Sequence, residues 1–248
     1  MRLLLLNGNT SQAMTDRLAV AARAIVRPDT EIIPVTGRFG AEVIASRAAY
    51  AIAGHAVLDA YAQAWAAYGN GMDAVVLACF GDPGLAALKD VASIPCFGMA
   101  EAGCRTAAAQ VHRFSIITGG AAWGPMLTEY AASLGLADQL ASVRVLEADG
   151  GQIGANPEAA REAIYQAAMK AITEDGAELI VLGGAGMVAQ IEPLAARVSV
   201  PVIDGLTPAI RMAEAAAGQK SPAWRGPIAT SNLSAELSAL IGQPGTSS

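Results

Sequence analysis

Short apolar runs alternate with longer segments of helical spacing from one end of the chain to the other. Leu3 to Leu6 is a continuous run of strand length, and the turn-rich Asn7-Gly8-Asn9-Thr10-Ser11 follows it. An unbroken run of this length suits a strand of a parallel sheet covered on both faces. A helical pattern comes next, with Thr10 or Ser11 placed to cap it. Glu31 to Val35 predicts a second strand, and Pro34, which lacks a backbone N–H, puts that strand at a sheet edge. The spacing then predicts a helix over 48–68, a strand over 74–79, a helix from Pro83, a strand near Cys96 and a helix over 101–111. Further strands are predicted at 114–118, 143–146, 179–183 and 201–203, with helices over 123–134, 157–174, 208–217 and 233–241. Segment 218–227 reads as a Ser/Pro/Gly-containing connection, and 242–248 as a frayed end.

This order predicts an α/β fold with parallel sheets flanked by helices. The pattern also occurs twice. Asp73 onward reads DAVVLACFG and runs to Ile94-Pro95; Ala177 onward reads AELIVLGGAG and runs to Val200-Pro201. A weaker echo pairs Arg2–Asn9 (RLLLLNGN) with Arg113–Gly120 (RFSIITGG). Two similar lobes follow, 1–100 and 101–206, with 207–248 returning to the first. Ligands of parallel sheets sit beyond the carboxyl ends of the strands. That edge carries the loops at 7–11, 79–82, 118–120 and 184–187.

Composition narrows the partners. The 248 residues are 53% hydrophobic and 15% charged, with a formal charge of −6. No basic patch for nucleic acid stands out, and no apolar run approaches the ~20 residues that span a bilayer. The opening MRLLLLNGN reads as a strand rather than a signal peptide, so a cytoplasmic protein is expected. Cys79, Cys96 and Cys104 lack CxxC spacing and the only histidines are His55 and His112, so no metal centre is expected. No nucleotide-binding glycine motif occurs, so no nucleotide cofactor is expected. An Ala-rich helix such as 48–66 can pack on a copy of itself, so a homo-oligomer is expected.

Cys79 is the foremost chemical candidate. Asp82 reads as an N-cap and Pro83 as a first helical residue, which puts the thiol near a helix N-terminus. The helix end favours thiolate and the Asp82 charge opposes it; the net expectation is a depressed pKa. The competing reading is a small buried hydrophobe. Cys96 and Cys104 read as core residues, and His55 and His112 as packed or surface groups. Asn7, Asn9, Thr10 and Ser11 offer a cradle for a carboxylate or imide oxygen, with Thr118-Gly119-Gly120 the matching loop of the second half. Val43, Ile44, Phe80 and Met187 are candidates for an apolar wall. Arg38 and Arg47 are either carboxylate ligands or surface groups.

Together these motifs resemble the aspartate/glutamate/hydantoin racemase superfamily, most closely its hydantoin and allantoin racemases. Asn7-Gly8-Asn9-Thr10-Ser11 with Met14-Thr15 matches the family's NPNTS…MT opening except at Gly8. Cys79 with Gly81-Asp82-Pro83-Gly84, then Glu101-Ala102, and Pro201 to Gly205 match in order, to about residue 217. The family's second cysteine lies in Leu-Gly-Cys-Ala-Gly-Met; here the segment is Leu182-Gly183-Gly184-Ala185-Gly186-Met187. The resemblance implies two α/β lobes related by a pseudo-twofold axis and a cofactor-independent site in the cleft between them. It implies a small-molecule carbon acid as substrate and a thiol on each face of it. Cys79 and the Gly184 position then carry the catalysis, and Asn9, Thr10, Ser11, Phe80, Gly81, Thr118, Gly119, Ala185 and Gly186 the binding. With no side chain at Gly184, three readings stand: a racemase of hydantoin-like or amino-acid-like compounds, a decarboxylase using Cys79 as proton donor, or a non-catalytic binding protein. Arylmalonate decarboxylases of the same superfamily also keep one thiol, on the second half.

Overall fold

The computed structural model describes residues 1–221 and 228–242. Strand β1 (Arg2–Asn7) lies between β2 (Glu31–Thr36) and β3 (Ala74–Leu77), and β4 (Cys96–Gly98) extends the sheet beyond β3, all parallel. The second sheet repeats this plan. There β5 (Phe114–Gly119) lies between β6 (Leu140–Leu146) and β7 (Leu179–Gly183), with β8 (Val202–Asp204) beyond β7. Pro34 sits on edge strand β2, where its missing N–H leaves no gap in the ladder.

The helices are α1 (Gln12–Ile25), α2 (Arg47–Tyr68), α3 (Leu85–Val91), α4 (Met99–Ala108), α5 (Trp123–Ser133), α6 (Gly150–Ala155), α7 (Pro157–Thr173), α8 (Ile191–Ala195), α9 (Leu206–Ala215) and α10 (Ala235–Gly242). No helix among the described residues is long and apolar enough to cross a membrane. Four short pieces were not anticipated: α6, α8 and 3₁₀ segments at Gly69–Gly71 and Ala185–Gln190. Of the stretch read as frayed, Gly242 instead ends α10 and 243–248 lie outside the described residues, as does most of the 218–227 connection.

The central strands are largely apolar because each feeds two cores. Alternate side chains of a strand point to opposite faces. Leu3 and Leu5 therefore join Phe114 and Ile116 in one core shared by both sheets, closed by α1, α4 and α9. Leu4 and Leu6 face the other way, onto Val57 and Tyr61 of α2. In the second sheet Ile117, Ile180 and Leu182 meet Ile164 and Ala168 of α7. Cys96 and Cys104 are buried within these cores.

Helix α9 leaves the second sheet and packs against α1, α4, β3 and β4, while α10 lies on α2. Glu214 of α9 is buried and accepts from the Arg27 backbone N–H (2.7 Å) and the Thr30 hydroxyl (2.9 Å). Burial raises its pKa, but those bonds, Arg211 and the Arg27 charge outweigh burial and hold it below the ordinary glutamate value. Glu214→Ala orphans buried donors and is expected to lower the unfolding free energy by about 1–3 kcal/mol. A depressed carboxylate contributes stability above its unfolded value, roughly pH 4.3, and loses it as pH falls through the folded value. Urea melts at pH 7 and pH 3 should therefore show a smaller acid loss for Glu214→Gln than for the parent protein.

Candidate active site

Strand β3 stops at Leu77, so Cys79 stands two residues beyond the strand rather than closing it. The loop turns sharply: the Asp82 N–H bonds the Cys79 carbonyl (3.0 Å), and Asp82 adopts a left-handed φ of 53°. Helix α3 begins only at Leu85, with Gly84 at its N-cap. The expected Asp82 cap of that helix is not formed. Its carboxylate instead accepts from the backbone N–H groups of Ala100 (3.0 Å) and Glu101 (2.7 Å), capping α4, and from the Tyr130 hydroxyl of α5 (2.7 Å). Gly98, which precedes α4, has no side chain to do this.

The electrostatics of the thiol change accordingly. Burial pushes Cys79 up to about 12, with the Asp82 charge adding to it, so the expected depression is reversed. Burial likewise raises Asp82 to about 7, against the hydrogen bonds that favour its charged form. The resting group is a protonated thiol. Two aromatics pin the loop from either side. Tyr50 of α2 donates to the Gly81 carbonyl (2.8 Å), and the Trp123 ring of α5 lies so close to Gly81 that any Cβ there would overlap it.

The loops after β1, β3, β5 and β7 meet at one cavity of about 60 Å³. Of the residues singled out from the sequence, Asn9, Cys79, Phe80, Thr118, Gly119, Gly184, Ala185 and Gly186 line it, together with Val43, Ile44 and Met187. A larger groove of about 890 Å³ runs between β6, α6 and α7, but none of these loops reaches it. Size does not pick the site; the thiol and the converging strand ends do. Five of the expected residues are absent from the wall: Asn7, Thr10, Ser11, Gly81 and Gly120. Ser11 caps α1 by accepting from the Met14 N–H, the Thr10 backbone is tied to Ala41, and Gly81 is covered by Trp123. Arg38 is engaged by Asp59 in a two-pronged pair (2.9 and 3.0 Å) and Arg47 by Glu129 (2.6 and 2.8 Å). Neither faces the cavity, and among the described residues its wall carries no charged side chain.

Sequence reasoning missed Met14, Trp123 and Gly150 as wall residues. The Trp123 indole N–H donates to the Ile44 carbonyl (2.9 Å), which holds an apolar wall residue in place from the opposite sheet. The Asn9 Oδ1 accepts from Asn7 Nδ2 (2.8 Å) and the Ser11 N–H (2.9 Å). That orients the Asn9 amide nitrogen toward the Met14 sulfur (3.0 Å), a weak acceptor, so this donor is underused. The Thr118 hydroxyl donates to the Gly183 carbonyl (2.9 Å). At Gly184 the backbone has φ 127°, ψ 151°, and a Cβ would meet nothing within 4 Å.

The profile of the family described as Asp/Glu/hydantoin racemase matches residues 3–213. The chain belongs to that family and, with it, to the racemase class of isomerases. It is 36% identical to the hydantoin racemase of Paenarthrobacter aurescens, over 86% of this chain and 90% of that protein. Among solved structures, allantoin racemase from Pseudomonas fluorescens superposes with a TM-score of 0.81 at 36% identity, covering 87% of this chain and 90% of that one. Arylmalonate decarboxylase superposes at 0.60 with 17% identity, over 90% of this chain and 97% of that one, a likeness of fold alone.

Two outcomes follow from the geometry. Cys79 in the ligand-free protein is expected to alkylate slowly at neutral pH, the rate climbing about tenfold per pH unit between 7 and 10, as for a thiol titrating near 12; mass spectrometry of iodoacetamide-treated protein reads this. Gly184→Cys has room for its side chain but meets a φ that L residues rarely adopt. It is expected to cost about 1–3 kcal/mol of stability in urea melts unless the loop rearranges.

Proposed function

We propose that the chain is a cofactor-independent isomerase of a hydantoin-like carbon acid, with Cys79 transferring the α-proton on one face. The observation that carries this is the placement of Cys79 and Gly184 on the wall of one cavity formed by equivalent loops of the two sheets. A hydantoin carries its C–H between a carbonyl and a ring nitrogen, and its ring is neutral. A wall without charged side chains favours such a ring over an amino acid, whose carboxylate would be buried without a partner. The underused Asn9 amide donor is suited to the carbonyl oxygen on which negative charge develops when the proton leaves.

The proton transfer is one-sided. The minor thiolate form of Cys79, in equilibrium with the resting thiol, takes the α-proton, exchanges it with solvent and returns one to the same face. On the other face Gly184 supplies no acid or base, only open space for water. Losing a positioned acid or base costs about 100- to 10,000-fold. Single enantiomers of 5-substituted hydantoins, allantoin, aspartate and glutamate, followed by proton NMR in deuterium oxide and by polarimetry, test this. The expected result is α-proton exchange of one hydantoin enantiomer, outpacing inversion by about that factor and lost in Cys79→Ala. Inversion as fast as exchange would show that another group serves the second face. Exchange that survives in Cys79→Ala would return that thiol to a packing role.

One observation favours a second reading. A thiol held protonated near 12 is poised to donate, as a decarboxylase needs when it quenches an enediolate. Carbon dioxide release from a disubstituted malonate, with no exchange of hydantoins, would select it. Ligand-dependent thermal stabilisation without turnover would leave the non-catalytic binding protein.

A further inference from the structure

Helix α5 belongs to the second sheet, yet two of its side chains hold loops of the first and a third pairs with the start of α2. Trp123 covers Gly81 and donates to Ile44, Glu129 pairs with Arg47, and Tyr130 donates to Asp82. Trp123 and Tyr130 are two helical turns apart and share a face. Asp82 is 2% exposed, and its backbone N–H is bonded to the carbonyl of Cys79 itself. We infer that Tyr130 is a positioning residue for Cys79: by holding the Asp82 carboxylate, it fixes the path of the thiol loop and the charge beside the thiol from across the boundary between the sheets.

The charged and titratable groups around this point are few. Facing Asp82 are Tyr130 of α5, Glu101 and Cys104 of α4, Tyr50 of α2 and Cys79 itself. The Glu101 carboxylate is neutralised by Lys89 (2.5 Å) and Arg105 (3.2 Å), which leaves Asp82 as the unneutralised negative group next to the thiol. The Tyr130 hydrogen bond favours ionised Asp82, and ionised Asp82 disfavours thiolate. Without the hydroxyl, Asp82 takes up a proton at a higher pH, and through that range the repulsion on Cys79 is relieved. The role in turnover rests on the proposed proton transfer at Cys79, but the electrostatic link does not, and alkylation reads it without any substrate.

The experiment follows iodoacetamide alkylation of Cys79 from pH 6.5 to 10 in the full-length protein, with Cys79→Ala as the blank for Cys96 and Cys104. Asp82→Asn is expected to alkylate about three- to tenfold faster than the parent at pH 9, where the parent carboxylate is ionised. Tyr130→Phe keeps the ring packing and is expected to be faster only around pH 7–8, converging on the parent near pH 10, where Asp82 is ionised in both. Glu129→Gln, on the same helix, should leave the profile unchanged. A Tyr130→Phe profile identical to the parent overturns the inference, and one faster by the same factor at every pH overturns its electrostatic part. If Asp82→Asn fails to fold, the shape of the Tyr130→Phe profile still decides. If hydantoins are turned over, Tyr130→Phe should lower kcat more than it raises KM; an unaltered alkylation link with no turnover would count against the proposed function and not against this coupling.

Discussion

A carboxylate buried without donors is among the costliest groups a fold can carry, and Asp82 is 2% exposed. Its place is tolerable because two backbone N–H groups at the start of α4 and one tyrosine hydroxyl converge on it. Those bonds reach the start of α4 and the second half of α5, so one side chain ties the thiol loop to elements of both sheets. Its neighbours show the consequences. Gly98 must lack a Cβ, since one there would overlap the carboxylate, and Asp82 accepts a left-handed backbone to reach its donors. The raised proton affinity of Cys79 follows from the same burial and the same charge.

The two sheets share one strand plan, and equivalent loops face one another across a cavity, yet the chemistry is not symmetric. On the first sheet the loop presents a thiol pinned by Tyr50, Trp123 and Asp82. On the second, Gly184 is followed directly by a 3₁₀ segment and holds a φ of 127°. The difference between the two sides is therefore one of backbone as well as of side chain. At Gly184 the backbone occupies a conformation open to glycine and strained for other residues, and the open space beside it is continuous with the cavity. Substitution at this point is a change of loop as well as of side chain.

The apolar wall is also a joint product of both sheets. Ile44 comes from the loop between β2 and α2, but its carbonyl is held by the Trp123 indole of α5. The arginines nearest in sequence, Arg38 and Arg47, are drawn away by Asp59 and Glu129. What remains at the cavity is an uncharged surface with a few oriented polar groups. That character comes from which residues are occupied elsewhere as much as from which residues are present.

Strand positions were legible in the sequence because burial on both faces demands unbroken apolar runs, as at Leu3–Leu6 and Leu179–Leu182, and such a demand is local. The edge place of β2 was legible from Pro34, and the cap of α1 was narrowed to Thr10 or Ser11, of which Ser11 takes the role. Helix α6 was missed although Asp149 and Gln152 form a capping box, because its glycine-rich stretch carries little helical periodicity. The motifs identified the loops that line the cavity, since those loops follow matching strands. Partners distant in the chain were not legible. Asp82 and Pro83 have the local signature of a helix start, yet the Asp82 carboxylate serves α4 and Tyr130, 18 to 48 residues away. The direction of the Cys79 shift turned on burial, which no spacing records. Local periodicity thus determined the strands, the duplication and the loops, while tertiary packing decided the charge beside the thiol and which polar groups stayed free, because desolvation and long-range hydrogen bonds exist only once the two sheets have met.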